Sequence, residues 1–159
     1  MEKLRIMCID DQREVLHTLR KDLEIFSDHC IFIECETADE AEEVLDEVDK
    51  SGDELAVVIC DHVMPGKNGV DFFTDLDQDA RFPQVKKLLL TGLATHTDTI
   101  KAINQAHIDY YIEKPWTLED IQQTVKVLLS EYICDSDLDY EQYIDIIDQK
   151  ILYRKLREG

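Results

Sequence analysis

The stretch Leu55-Ala56-Val57-Val58-Ile59-Cys60-Asp61-His62-Val63-Met64-Pro65-Gly66-Lys67-Asn68-Gly69 decides the fold. Its first half is a continuous apolar run that stops on an acid. Its second half is a turn built on Pro and Gly. An apolar run of this length, closed by turn residues, is the pattern of a strand buried on both faces, as in a parallel sheet. A second run, Leu4-Arg5-Ile6-Met7-Cys8-Ile9, closes on Asp10 and Asp11. If the two strands are parallel neighbours, their ends bring three carboxylates into one crevice. Such a cluster is costly unless a cation sits among the acids. Hard oxygen ligands around an open site suit Mg²⁺. A carboxylate beside Mg²⁺ is suited to receiving a phosphoryl group.

Outward from this centre, short apolar runs alternate with amphipathic stretches. Strands are expected at 4–9, 30–35, 55–60, 87–90 and 109–112. Helices are expected at 12–26, with Asp11 as cap, and at 38–50, 69–77, 97–106 and 117–132. Strict alternation predicts an α/β protein with a doubly wound parallel sheet covered on both faces. Such sheets bind ligands beyond the carboxyl ends of their strands. Asp10, Asp11, Asp61, Thr91 and Lys114 all fall at such ends, and this convergence is more informative than any one of them. Each alone has an ordinary reading: a helix cap, a turn opener, a strand exit, a Lys-Pro turn.

The chemistry these residues could share is phosphoryl transfer. Asp61 would be the nucleophile, forming an acyl phosphate. Asp10 and Asp11 would hold Mg²⁺, which would neutralise charge on the transferring group. Thr91 would donate its hydroxyl to a phosphoryl oxygen, and Lys114 would supply a point charge. Positioning and charge stabilisation are most of what this reaction needs.

Composition bounds the rest. At 159 residues, one domain with a short appendage is expected. The 17 basic and 36 acidic residues give a formal charge of −19, which argues against direct nucleic-acid or anionic-membrane binding. Five cysteines occur without CxxC spacing; three lie inside or beside apolar runs and read as small core hydrophobes, and a reduced, cytoplasmic protein without disulfides is expected. No signal peptide precedes residue 4, and no apolar run approaches ~18 residues, so no span is expected. The five histidines (17, 29, 62, 96 and 107) lack ligand spacing.

Past Cys134 the wording changes. Asp135-Ser136-Asp137 reads as a hinge, and 137–157 as a helix with Tyr140, Ile144, Ile147 and Ile151 along one seam. That helix either pairs with another copy or folds back on its own domain.

The acid pair Asp10-Asp11, Asp61-x-x-Met64-Pro65 with Gly69, Thr91-Gly92 and Lys114-Pro115 together resemble the receiver domain of two-component response regulators, the CheY-like fold. The resemblance covers about residues 3–132 and implies strand order 2-1-3-4-5. The division is then a receiver domain at 1–132 and a C-terminal helical extension or linker at 133–159. The resemblance implies that Asp61 accepts a phosphoryl group from a histidine kinase or small phosphodonor and loses it by slow self-catalysed hydrolysis. It implies the Val63 backbone carbonyl as a further Mg²⁺ ligand and a cis Lys114–Pro115 bond. It also implies a switch through Thr91 and Tyr111 that alters the face formed by the fourth helix, fifth strand and fifth helix. Tyr110, out of phase, should point the other way.

Some positions depart from the pattern. Fifty positions separate Asp11 from Asp61, with the extra length expected at 49–54. Val63 and Leu93 beside the site are apolar and should hold an attacking water poorly, favouring a long-lived phosphoform. Ala102-Ile103-Asn104 with Lys114-Pro115-Trp116 is similar to receivers that precede HD-GYP-type or other signalling domains. A receiver cut from a longer protein, with 137–157 as linker, is therefore expected, with a natural stand-alone receiver as the alternative. Implied partners are a histidine kinase or phosphotransfer protein, an output domain, or a homodimer through the C-terminal helix. Three other functions compete. A haloacid-dehalogenase-type phosphatase needs a second Asp where Val63 stands. A dinucleotide binder needs glycines where Asp10-Asp11-Gln12-Arg13 stands. A pseudo-receiver would bind partners without phosphorylation, yet usually lacks one of the five residues present here.

Overall fold

The computed structural model describes residues 2–92 and 96–158. The elements in chain order are β1 (Leu4–Ile9), α1 (Arg13–Asp22), β2 (Cys30–Cys35), α2 (Ala38–Ser51), β3 (Glu54–Asp61), α3 (Gly69–Asp77), β4 (Lys86–Thr91), α4 (His96–Ala106), β5 (Tyr110–Glu113), α5 (Leu118–Asp135) and α6 (Gln149–Glu158). All strand pairs are parallel, in the order β2-β1-β3-β4-β5. This is the doubly wound, CheY-like sheet the sequence predicts, with a helix added at the C-terminus.

The central strands are apolar over most of their length because both faces are covered. Ile6 and Cys8 of β1 point to the cluster that includes Leu16 and Leu19 of α1 and Val125 and Leu129 of α5. Met7 and Ile9 point to the opposite cluster, with Ala41 and Leu45 of α2 and Phe72 and Phe73 of α3. Between β1 and β3 the register shifts: Arg5 pairs with Leu55 but Ile6 with Val57. Ala56 is the extra residue of this bulge, and the shift sets the phase of every β3 side chain up to Asp61.

Local signals set most boundaries. The side chains of Thr37, Asn68 and Thr117 accept from the backbone N–H groups of Glu40, Asp71 and Asp120 and so cap α2, α3 and α5. Gly52, at φ 73°, ends α2 in the left-handed conformation that glycine tolerates. Segment 49–54 is therefore the last turn of a helix, its cap and the entry to β3, rather than a loop. Asp11 does not cap α1. Gln12 takes the cap position without a side-chain bond, and the Gln12 N–H donates to Asp10 Oδ1 at 2.9 Å. The helix expected over 12–26 stops at Asp22 and resumes as a 3₁₀ turn at Glu24–Phe26.

The largest departure is at the C-terminal end, where no single helix over 137–157 forms. Helix α5 runs to Asp135, Asp137 turns the chain at φ 56°, and a 3₁₀ turn (Tyr140–Tyr143) precedes α6. Short acids cap here instead of propagating helix. The Asp139 carboxylate accepts from the Glu141 N–H at 3.1 Å, and Asp148 Oδ1 from the N–H groups of Lys150 and Ile151 at 2.9 and 3.2 Å. The expected seam is broken. Ile147 is buried with Tyr143, Ile146 and Leu152 against β1, α1 and α5, whereas Ile144 is 45% exposed.

The segment seals the end of the sheet where the strands begin. Tyr143 Oη donates to the Glu2 carbonyl at 2.5 Å, and Tyr132 Oη bonds Glu54 at the start of β3. Asp135 receives Lys86, the first residue of β4, at 2.9 Å and Lys155 of α6 at 2.7 Å. Asp135, which opens the segment read as a hinge, is thus tied on both sides. Among the described residues, no helix is long and apolar enough to cross a membrane.

Candidate functional site

The opposite end of the sheet gathers the acids. Asp10 follows β1, Asp61 is the last residue of β3, Thr91 the last of β4, and Lys114 follows β5. One ligand oxygen from each of Asp10, Asp11 and Asp61 lies within 4.8 Å of the others. Asp10 and Asp61 are buried, at 0% and 6% exposure, while Asp11 faces solvent. Lys114 Nζ stands 2.9 Å from Asp10 Oδ2 and 2.9 Å from Asp61 Oδ1. Its amide donates to the Thr91 carbonyl at 2.8 Å, which fixes the exit of β5 against that of β4. The Lys114–Pro115 bond is cis.

The electrostatics follow from this crowding. Burial pushes the Asp61 carboxyl above its ordinary range; the bond from Lys114 opposes this, while Asp10 and Asp11 add to it. For Lys114, burial disfavours the ammonium, yet the bonds from Asp61 and Asp10 outweigh it and hold its pKa above the usual value. One ammonium faces two buried carboxylates and a third nearby. The donor set is all oxygen, negative in excess and open on the Asp11 side, which fits a hard divalent cation.

The turn after Asp61 holds the acid in place. The His62 N–H donates to the Leu90 carbonyl, and the Gly69 N–H to the His62 carbonyl, both at 2.9 Å. A Cβ on Gly69 would lie 2.4 Å from the Asp61 carbonyl oxygen, so only glycine fits this close approach. The Cys60 thiol donates to the same Asp61 carbonyl at 3.3 Å. The sequence marked Gly69 as part of a motif, but its contact with the Asp61 backbone is legible only in three dimensions.

Other expected residues are placed as follows. Thr91 is buried at 2% exposure beside Asp61 on the neighbouring strand. Tyr111 is half-buried against the cluster of α2 and α3, and Tyr110 points the other way at 51% exposure. Val63 projects its side chain into solvent, 74% exposed. Leu93 lies outside the described residues. The five thiols are free, and burial pushes those of Cys8, Cys30 and Cys35 up to about 12.

Trp116 was not singled out for the site. Its Nε1 donates to Asp22 Oδ2 at 2.9 Å, and with Lys114, Pro115, Glu14, Val15 and Thr18 it lines a groove of about 440 Å³ beside the acids. A lone Trp after Lys-Pro is the only signal, and its partner lies 94 residues earlier.

An all-parallel 2-1-3-4-5 sheet with acids at the ends of β1 and β3 and a lysine after β5 defines a class, and the comparisons agree. Residues 6–126 match the response regulator receiver domain family, and the chain belongs to it. It is 28% identical over 121 residues to the hydrogenase transcriptional regulatory protein HoxA of Cupriavidus necator, covering 76% of this chain and 23% of that protein. The chain thus spans about a quarter of the length of that relative. It is 25% identical to the chemotaxis protein CheY1 of Helicobacter pylori, across 79% of this chain and 97% of that one. Its fold matches the signal receiver domain of an HD domain-containing protein from Pseudomonas fluorescens Pf-5, with TM-score 0.74, 22% identity, and coverage of 86% and 94%.

Proposed function

We propose that this receiver accepts a phosphoryl group on Asp61 from the phosphohistidine of a histidine kinase or from a small phosphodonor. The observation that carries the reading is the Lys114 ammonium bridging buried Asp10 and Asp61 inside a three-carboxylate cluster. An Asp61 carboxylate oxygen forms a bond to phosphorus as the donor's P–N or P–O bond breaks. Asp10, Asp11, Asp61 and the Val63 carbonyl would hold Mg²⁺. When bound, the ion supplies positive charge to the transferring group. Lys114 offsets charge that Asp61 alone would concentrate, and Thr91 donates its hydroxyl to a phosphoryl oxygen. Thr91 and Tyr111 then carry the change to the face made by α4, β5 and α5. The half-buried setting of Tyr111, packed against the cluster of α2 and α3, supports such a move.

In this reading 1–132 is the receiver and 133–159 its extension. The protein acts in the cytoplasm with a kinase or phosphotransfer protein, and its output is a separate signalling domain, of HD-GYP type or another kind. The test is intact mass after incubation with acetyl phosphate and Mg²⁺, beside Asp61→Asn. A gain of one phosphoryl group, absent in the variant and without the metal, is expected. No gain in the wild type would overturn the reading in favour of a phosphorylation-independent binding module.

A further inference from the structure

The C-terminal extension is divided by charge. Between Asp135 and Asp148 it carries Asp137, Asp139, Glu141 and Asp145 with no Lys or Arg. These four acids are exposed. Helix α6 then carries Lys150, Arg154, Lys155 and Arg157 against one acid, Glu158, in a chain whose formal charge is −19. The two halves do not satisfy each other. Among the described residues, the ion pairs of α6 go to α5: Lys155 to Asp135 at 2.7 Å and Arg154 to Glu131 at 3.9 Å. None joins α6 to residues 137–145.

Each half also presents apolar surface. Leu152 is buried, but Leu156, one turn on, continues its stripe past the edge of the domain at 54% exposure, beside Tyr153 at 67%. Ile144, among the acids, is 45% exposed. One segment therefore holds an acidic patch and a basic patch, each with exposed apolar side chains.

We propose that this segment is a self-association surface whose partner is a second copy of this chain. A two-fold interface is isologous: what one copy's first patch meets on the second is repeated in reverse. Two segments placed antiparallel across the two-fold axis set each basic α6 on the other's acidic turn, so that the same charge contacts form twice. Ile144 then faces Tyr153 and Leu156 of the other copy. An anionic membrane or nucleic acid would attract α6 alone, but it would meet the acids of 137–145 beside it. A second copy answers both patches.

The inference does not rest on phosphoryl transfer, and its test is run without phosphodonor. Sedimentation velocity of the full chain is expected to show a dimer that weakens about tenfold or more from low to high salt. Lys150→Glu with Arg157→Glu should leave monomers, as should Glu141→Lys with Asp145→Lys, each melting like the wild type. Mixing the two variants should restore a dimer, because each now offers the other its opposite charge. Asp61→Asn should still dimerise, which separates this result from any failure of phosphorylation. A monomer at every concentration, a dimer that survives both reversals, or a mixture that stays monomeric overturns the proposal. Retention on phosphatidylserine vesicles without self-association would overturn it in favour of a membrane surface.

Discussion

Ile147→Ala tests whether the C-terminal segment is part of the folded unit. Ile147 is 2% exposed and packs in the cluster formed by β1, α1 and α5. Truncating a buried Ile to Ala costs about 2–5 kcal/mol, depending on how far the site can collapse. Here the neighbours lie on a sheet and a long helix that are anchored elsewhere, so a loss of about 3 kcal/mol is expected. For a chain of this size that corresponds to a melting point lower by roughly 6–12 °C. The assay is urea unfolding followed by the fluorescence of Trp116, the single tryptophan, with helical circular dichroism in parallel. Both probes should move together to a lower midpoint with an unchanged slope. Ile25→Ala, at a 59% exposed position outside the C-terminal segment, is the control and should stay within about 0.5 kcal/mol. If Ile147→Ala also stays within about 0.5 kcal/mol, the segment is a detachable tail and the packing argument fails.

Gly69→Ala should cost about 1–3 kcal/mol, because the new methyl meets the Asp61 and His62 backbone, and it should slow phosphoryl acceptance. Wild-type melting together with a wild-type labelling rate would show that the turn has slack. Asp135→Asn probes an ion-pair network. Burial pushes this carboxyl up, but the bonds from Lys155 and Lys86 outweigh it, so its folded pKa lies below the ordinary value. The stabilisation is therefore present above the unfolded pKa and is lost as pH falls through the lower folded value. Near neutral pH the variant should lose about 1–2 kcal/mol, allowing for partial exposure. Urea midpoints of wild type and variant should converge as pH falls through the lowered folded pKa of Asp135; a gap that does not narrow on acidification would refute the charge argument.

The sheet was legible because its strands are short, mostly apolar runs that alternate with amphipathic stretches. The site was legible for a related reason: Asp10, Asp61 and Thr91 each directly end an apolar run, Lys114 follows one after Glu113, and a parallel sheet sends all such ends the same way. The helix over 137–157 misled because Tyr140, Ile144, Ile147 and Ile151 keep helical spacing while Asp139 and Asp148 act as caps. Spacing records periodicity; it does not record that an acid's side chain competes for the backbone. Asp11 misled in the opposite sense, since the neighbouring Asp10 carboxylate takes the Gln12 N–H. Pairings such as Trp116 with Asp22 join residues far apart in the chain, and no local pattern announces them.

The bond from Tyr143 to the Glu2 carbonyl joins positions 141 residues apart, and the contact of Lys114 with Asp10 spans 104. Chain-closure entropy must be met before such contacts return anything, so folding is expected to be slow for the chain's length. The first strand leaves the ribosome long before either partner exists. Until β5 emerges, the acids of β1 and β3 have no lysine between them, and a nascent chain has no competent centre. Competence for phosphoryl acceptance therefore cannot precede synthesis of β5 and Lys114, and a product truncated before them would be silent rather than partly active.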